Sequence, residues 1–138
     1  MSRQCCRKEV VTTDQAPKPI GPYSAAVKGG HFVFTAGQIG IDPQTGEIVQ
    51  GGIEAETRQV MKNLRALLES AGTNFERVVK TTIFLRDMND FAKVNAIYGE
   101  FFPSEPPARS TIQVAALPKG AAVEIEVIAL LPEDDSCC

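Results

Sequence analysis

The sequence predicts an α+β domain: a mixed six-stranded sheet with two helices on one face, in the order β-β-β-α-β-α-β-β. Three observations lead there. Six short stretches bounded by Gly and Pro read as strands. Two longer stretches switch to the helical period of about 3.6. Helices alternate with strands only in the middle of the chain, which implies a mixed sheet.

Lys8 to Thr13 carries Val10 and Val11 and opens the first strand. Asp14 to Pro22 holds three prolines and is a loop. Ser24 to Val27 is a short strand and Gly29-Gly30 a turn. His31 to Ala36 is rich in aromatic and β-branched residues, the composition of a strand. In Asp42-Pro43-Gln44-Thr45-Gly46, Pro fixes φ and Gly supplies a positive φ, so this is a turn. Gly51-Gly52 is a second break. From Ile53 onward, Val60, Leu64, Leu67, Leu68 and Ala71 share one helical face; Glu54, Arg58, Lys62, Arg65 and Glu69 fall elsewhere. Gly72 is placed to end this helix. Arg77 to Arg86 is a strand with Val79, Thr81, Ile83 and Leu85 on one face. Asn89 or Asp90 can cap the second helix, whose stripe is Phe91, Val94, Tyr98, Phe101 and Phe102. Pro103 to Pro107 ends it. Arg109 to Ala115 and Ala122 to Leu131 are the last strands.

Two helices cover one sheet face, so the other needs a different cover. In the last strand one face carries Glu124, Glu126, Ile128 and Leu130, the other Val123, Ile125, Val127 and Leu131. Both sets are substantially apolar. The pattern predicts an oligomer whose subunits meet on the second face; the alternative is a monomer with scattered exposed aliphatics.

The 138 residues suit one domain, 8–131, between a short N-terminal tail, 1–7, and an acidic Cys-Cys tail, 132–138. The hydrophobic share of 43% is that of a globular protein with its own core. No apolar run approaches the ~18 residues of a membrane span, and MSRQCCRKEV lacks the apolar stretch of a secretory signal; the cytoplasm is the default. A net charge of -3 argues against a dedicated nucleic-acid binder. The cysteines, Cys5-Cys6 and Cys137-Cys138, leave the body of the chain without a thiol, which excludes a disulfide scaffold. Adjacent cysteines hold zinc poorly, and the prenylation box fails because the fourth residue from the end is Asp135. The tail thiols read as incidental; the alternatives are lipidation, such as palmitoylation of Cys5-Cys6 beside Arg3 and Arg7, metal binding, and engineered addition.

No metal-ligand spacing, phosphate loop or G-x-S-x-G occurs, so no metal is expected. The single histidine, His31, reads as a surface or packing residue. Gly51-Gly52 before a helix reads as a turn, with anion binding as the alternative. Arg109, stiffened by Pro106-Pro107, either grips a carboxylate or pairs with Glu100 or Glu105. Glu124 and Glu126 share a sheet face; there a carboxylate either gains a raised pKa and accepts protons, or is simply solvated. Lys80 is placed to neutralise one of them. Tyr23, after Gly21-Pro22, either packs in the core or offers its phenol from a rigid turn. Spacing alone gives an Arg-plus-carboxylate site suited to a small carboxylic acid, without selecting a reaction.

Several motifs together carry a resemblance. They are Ile20-Gly21-Pro22-Tyr23-Ser24, Ala36-Gly37-Gln38-Ile39-Gly40, Val79-Lys80-Thr81-Thr82, Asn89-Asp90-Phe91, Val94-Asn95, Pro107-Ala108-Arg109-Ser110 and Val123-Glu124-Ile125-Glu126. In this order, from about Val10 to Leu131, the chain resembles the YjgF/RidA reactive-intermediate deaminases, the 2-iminobutanoate/2-iminopropanoate deaminase family. The resemblance implies a chorismate-mutase-like fold, a homotrimer whose sheets close a barrel, clefts between subunits, and no cofactor. It implies a small 2-imino acid substrate, hydrolysed to a 2-oxo acid and ammonia. By this resemblance the carboxylate-binding arginine is Arg109, the water-handling glutamate Glu124 and the active-site tyrosine Tyr23. Gly37, Asn95 and Thr111 fall on the family's substrate pocket.

Two positions depart from the pattern: Ala36 stands where many members have Ser, and Thr111 where many have Cys. The first removes a hydroxyl contact; the second keeps a backbone N–H and a small polar group. Two other readings follow from the same resemblance. One is an RNA-directed endoribonuclease or translation inhibitor, for which the chain offers neither a His pair nor a basic stripe. The other is a ligand-binding or chaperone-like trimer without turnover. Some relatives are found in mitochondria or the nucleus.

Overall fold

A computed structural model describes residues 7–132. The cysteine pairs, and nearly all of both tails, lie outside the described residues. The elements follow the predicted order: β1 (Lys8–Val11), β2 (Ala26–Gly29), β3 (Phe32–Thr35), α1 (Gly52–Ala71), β4 (Val78–Leu85), α2 (Phe91–Phe101), β5 (Ala108–Gln113) and β6 (Val123–Leu130). In space the strands run β1-β2-β3-β6-β4-β5. β4 and β5 are parallel and every other neighbouring pair is antiparallel, so the sheet is mixed. A parallel pair needs a crossover, and α2 supplies it.

Both helices pack on one sheet face. Val60, Leu64, Leu67 and Leu68 of α1 and Val94 and Tyr98 of α2 meet Val33, Ile83, Leu85, Val123, Ile125 and Val127 in one buried cluster. Each fully buried leucine contributes about 1.5–3 kcal/mol. The odd-numbered residues of β6 are therefore the inner set. Glu124, Glu126, Ile128 and Leu130 lie on the second face with Phe32, Phe34 and Ile112. Those last two remain 44% and 46% exposed, an apolar face that the two helices leave uncovered.

Gly72 ends α1 as predicted: its φ is 90° and its N–H donates to Glu69 O. Gly51 and Gly52, with φ of 119° and 81°, serve the turn into α1.

Four expectations are corrected. The β4 pairing skips between Val78 and Lys80, a bulge that turns Val78 inward and leaves Val79 exposed; only Thr81, Ile83 and Leu85 keep the predicted inner face. The side-chain cap before α2 is Asp87, whose Oδ1 accepts from Asn89 N at 2.9 Å; Asp90 occupies the N-cap position without such a bond. Ile97 is buried in the α2 stripe, whereas Phe91, at the helix start, stays partly exposed. The hairpin turn is Gly30-His31, not Gly29-Gly30: Gly30 has the positive φ, and Gly29 still pairs with Phe32.

Candidate active site

β6 brings Glu124 to the open face near the sheet centre, opposite Phe84 of β4. The chain leaving β3 folds back against it. Gln38 N donates to Ile125 O at 2.9 Å and Ile125 N to Gln38 O at 3.0 Å, a one-residue bridge onto β6. This clamp lays the backbone of Gly37 on the Glu124 carboxylate. A Cβ built at residue 37 would lie 2.6 Å from Glu124 Cδ and 2.8 Å from Cγ. Glycine is required by proximity, not by a positive φ.

A cleft of about 170 Å³ opens beside them, with Ile20, Tyr23, Ile39 and Pro118 in its other walls. Tyr23 is 51% exposed, so core packing is not its role. The turn before it is tight: Tyr23 N donates to Gly21 O at 2.8 Å, and the phenol oxygen accepts from Ile20 N at 3.3 Å. Burial raises the Glu124 pKa above the ordinary carboxylate value, and the neighbouring Glu126 adds to the rise. Glu124 is thus half-buried rather than fully solvated. Lys80 does not neutralise it; its Nζ donates to Ser110 Oγ at 3.0 Å.

The second cluster lies at the β5 edge. Arg109 stands beside Thr81, hence on the helix-covered face. Its guanidinium lies 4.9 Å from the Tyr98 ring centre and 5.5 Å from that of Phe91. Nη1 donates to Asn95 Oδ1 at 2.7 Å. Tyr98 is itself held, its hydroxyl 2.8 Å from Thr81 Oγ1. Burial raises the Tyr98 pKa, while the Thr81 bond and the Arg109 charge oppose the rise.

The ion-pair reading of Arg109 fails. Glu100 is occupied by Arg58 through two bonds of 3.1 and 3.2 Å, and among the described residues no carboxylate lies within 4.0 Å of Arg109. A guanidinium fixed by two rings and one amide keeps further N–H groups for a ligand carboxylate. Thr111 is two residues further along the same strand face; its Oγ1 is buried and has no partner among the described residues.

The structure thus brings Tyr23, Gly37 and Glu124 together, and Arg109, Asn95 and Thr111 together, but does not join the two groups within one chain. Arg109 lies level with Thr81 and Glu124 level with Phe84. Three residue steps and two strand spacings put their Cα atoms on the order of 14 Å apart, on opposite faces. The aromatic platform under Arg109 escaped sequence reasoning, which placed Phe91 and Tyr98 on the apolar stripe of α2; Tyr98 is indeed in the core, and its ring also faces Arg109. The platform's signal was the alignment of Phe91, Asn95 and Tyr98 at i, i+4 and i+7.

Among the described residues no three or more His, Cys, Asp and Glu side chains are grouped to hold a metal ion, and no helix is long and apolar enough to cross a membrane. Residues 13–131 match the family model described as endoribonuclease L-PSP. A RutC family protein of Pyrococcus horikoshii is 57% identical over 88% of this chain and 97% of its own length. The 2-iminobutanoate/2-iminopropanoate deaminase of Mus musculus is 50% identical over 89% of this chain and 91% of its own. The crystal structure of E. coli TdcF with bound serine superposes with a TM-score of 0.85 at 41% identity, covering 90% of this chain and 99% of that one.

Proposed function

The chain belongs to the YjgF/RidA family, whose model carries the description endoribonuclease L-PSP, and from that membership we propose that it hydrolyses 2-imino and enamine acids such as 2-iminobutanoate to 2-oxo acids and ammonia. The observation that carries the reading is Glu124, a half-buried carboxylate with a raised pKa in a small cleft under the Gly37 backbone. It suits a base that takes a proton from water near neutral pH. The iminium carbon is already electrophilic, so one base and accurate positioning suffice. Water adds its oxygen to the C=N carbon and passes one proton to Glu124. The tetrahedral adduct takes that proton on nitrogen and expels ammonia while its hydroxyl gives its own proton back to Glu124, forming the C=O of the 2-oxo acid; the departing ammonia carries that proton off as ammonium. Arg109, poised by Asn95 and the two rings, holds the substrate carboxylate.

Arg109 and Glu124 lie on opposite faces of one sheet, so a site that uses both is assembled from two chains. The uncovered apolar face supports a homotrimer in which the Arg109 edge of one subunit completes the Glu124 cleft of the next. An RNA-cleaving reading, suggested by the family's description, finds less support: the sequence has one histidine, His31, which sits in the β2–β3 turn and does not line the cleft.

Threonine dehydratase supplied with threonine generates the imine, and a scavenger captures it. Adding the protein should accelerate 2-oxobutanoate formation; no acceleration would refute the deaminase reading. Arg109→Ala and Glu124→Gln should each be inactive alone. Unfolded and refolded together at equal amounts, they should regain activity at about a quarter of the sites if each site takes one residue from each of two subunits. No recovery from a mixed, folded oligomer would refute the shared site.

A further inference from the structure

Glu56 and Asn63 are buried polar residues of α1 that do not line the cleft. Asn63 is 0% exposed. Its Nδ2 donates to Ile39 O at 3.2 Å and Ile41 O at 2.9 Å, while its Oδ1 accepts from Gln59 Nε2 at 3.0 Å. Glu56, two helical turns earlier on the same side of α1, is 8% exposed; its Oε1 accepts from Ala122 N at 2.9 Å. Gly40 rests directly on the Glu56 backbone, where a Cβ at residue 40 would come within 2.9 Å of Glu56 Cα. The pair therefore fixes two segments. Asn63 holds 39–41, which continues from Gly37, and Glu56 holds Ala122, two residues before Glu124. A core needs neither group: an apolar residue of similar shape avoids the desolvation cost of burying an amide or a carboxylate.

We propose that Asn63 and Glu56 are positioning residues that set the Gly37 backbone against the Glu124 carboxylate and so fix the base in the cleft. This rests on the deaminase reading for its kinetic consequence, but not for its structural one. If the clamp opens, residues 37–41 draw away and water reaches Glu124. The other ionisable groups on this side are Glu126 on β6, Lys80 on β4, and Lys18 and Tyr23 of the loop lining the cleft. None of them is touched by the changes below.

The informative variants are Asn63→Leu, which keeps the shape and removes both donors, Glu56→Gln, which keeps an acceptor for Ala122 N, and Glu56→Leu, which removes it. Each is first checked for folding by circular dichroism and thermal unfolding. In the imine assay Asn63→Leu and Glu56→Leu should lower kcat about 10- to 100-fold with KM little changed, and Glu56→Gln should stay near wild type. Independently of turnover, a carbon-13 NMR titration of the glutamate carboxyls, with Glu124→Gln for assignment, follows the base directly. Its midpoint should fall toward the ordinary carboxylate range in Asn63→Leu and Glu56→Leu, and stay raised in Glu56→Gln. A folded Asn63→Leu with an unmoved Glu124 midpoint would overturn the proposal, as would Glu56→Gln behaving like Glu56→Leu. Should Asn63→Leu not fold, the Glu56 pair decides alone. An inactive wild type with the predicted midpoint shifts would sink the deaminase reading and leave the positioning role standing.

Discussion

Gly37→Ala separates chemistry from folding at a single methyl group. The new Cβ would lie 2.6 Å from Glu124 Cδ and 2.8 Å from Cγ, where ordinary contacts begin at 3.4 Å. Because Cγ is also crowded, turning the carboxylate is not enough; the side chain must swing from its base and carry its oxygens about 1 Å or more from their place. Misplacing a base by about 1 Å costs about 100-fold in rate, or about 2.7 kcal/mol of barrier. The fold loses little. Residue 37 does not have a positive φ, so alanine meets no backbone penalty, and the lost freedom of the unfolded chain returns about 0.4–1 kcal/mol. The clash is with one half-exposed side chain able to move toward the cleft. Gly37→Ala should therefore unfold at or slightly above the wild-type temperature while kcat in the imine assay falls about 100-fold. A stable variant with wild-type kcat would refute the idea that Gly37 places Glu124; an unfolded one would refute the estimate of strain.

Arg109→Lys keeps the charge but loses the planar fork, so kcat/KM should fall about 10- to 100-fold, the worth of a charge-assisted hydrogen bond of about 1.5–3 kcal/mol; an unchanged value would argue against the clamp. Glu124 titrates above its ordinary 4.5, so the acidic limb of the kcat/KM profile should lie above that value, and Glu124→Gln should remove about 100- to 10,000-fold of the rate. The same shift has a stability consequence: the fold holds this proton more tightly than the unfolded chain does, an advantage present below 4.5 and lost as pH rises through the raised value. Glu124→Gln should accordingly melt higher than wild type at neutral pH and alike in acid, as calorimetry at both would reveal. Tyr98→Phe strands Thr81 Oγ1 in the core and should cost about 1–3 kcal/mol in urea unfolding, with Arg109 still stacked and kcat nearly kept. Phe34→Asp, on the uncovered face, should shift the sedimentation coefficient toward that of a monomer and abolish turnover; an active monomer would refute the shared site.

The helices were the most legible elements, because burial on one side writes itself into a 3.6-residue stripe and Gly72 marks a stop. The strand order within the sheet was not legible, since alternation says which face a residue joins and nothing about its neighbour. One extra residue at the Val78–Lys80 bulge turned Val79 outward, and no residue type announces it. For the site, residue chemistry suggested Arg109 and Glu124 but left their meaning open. The three-dimensional neighbourhood adds what the residue types lack: Glu100 is taken by Arg58, and the carboxylate of Glu124 lies under Gly37. The polar pair of α1 was invisible for the opposite reason. Glu56 reads as one more charge on a helix until Ala122 arrives from 66 residues away to use it.

β6 comes last in the chain but lies in the interior of the sheet, between β3 and β4. Until it inserts, β3 and β4 each present a bare edge, and Phe32 and Phe34 border a gap. Pairings that span so much of the chain are late and slow to form, and exposed edges invite self-association in the meantime. The insertion of β6 is thus also the step that delivers Glu124 to the sheet. A chain stalled before that step has bare strand edges to aggregate with and no Glu124 under Gly37, so the proposed site and escape from misassembly arrive together.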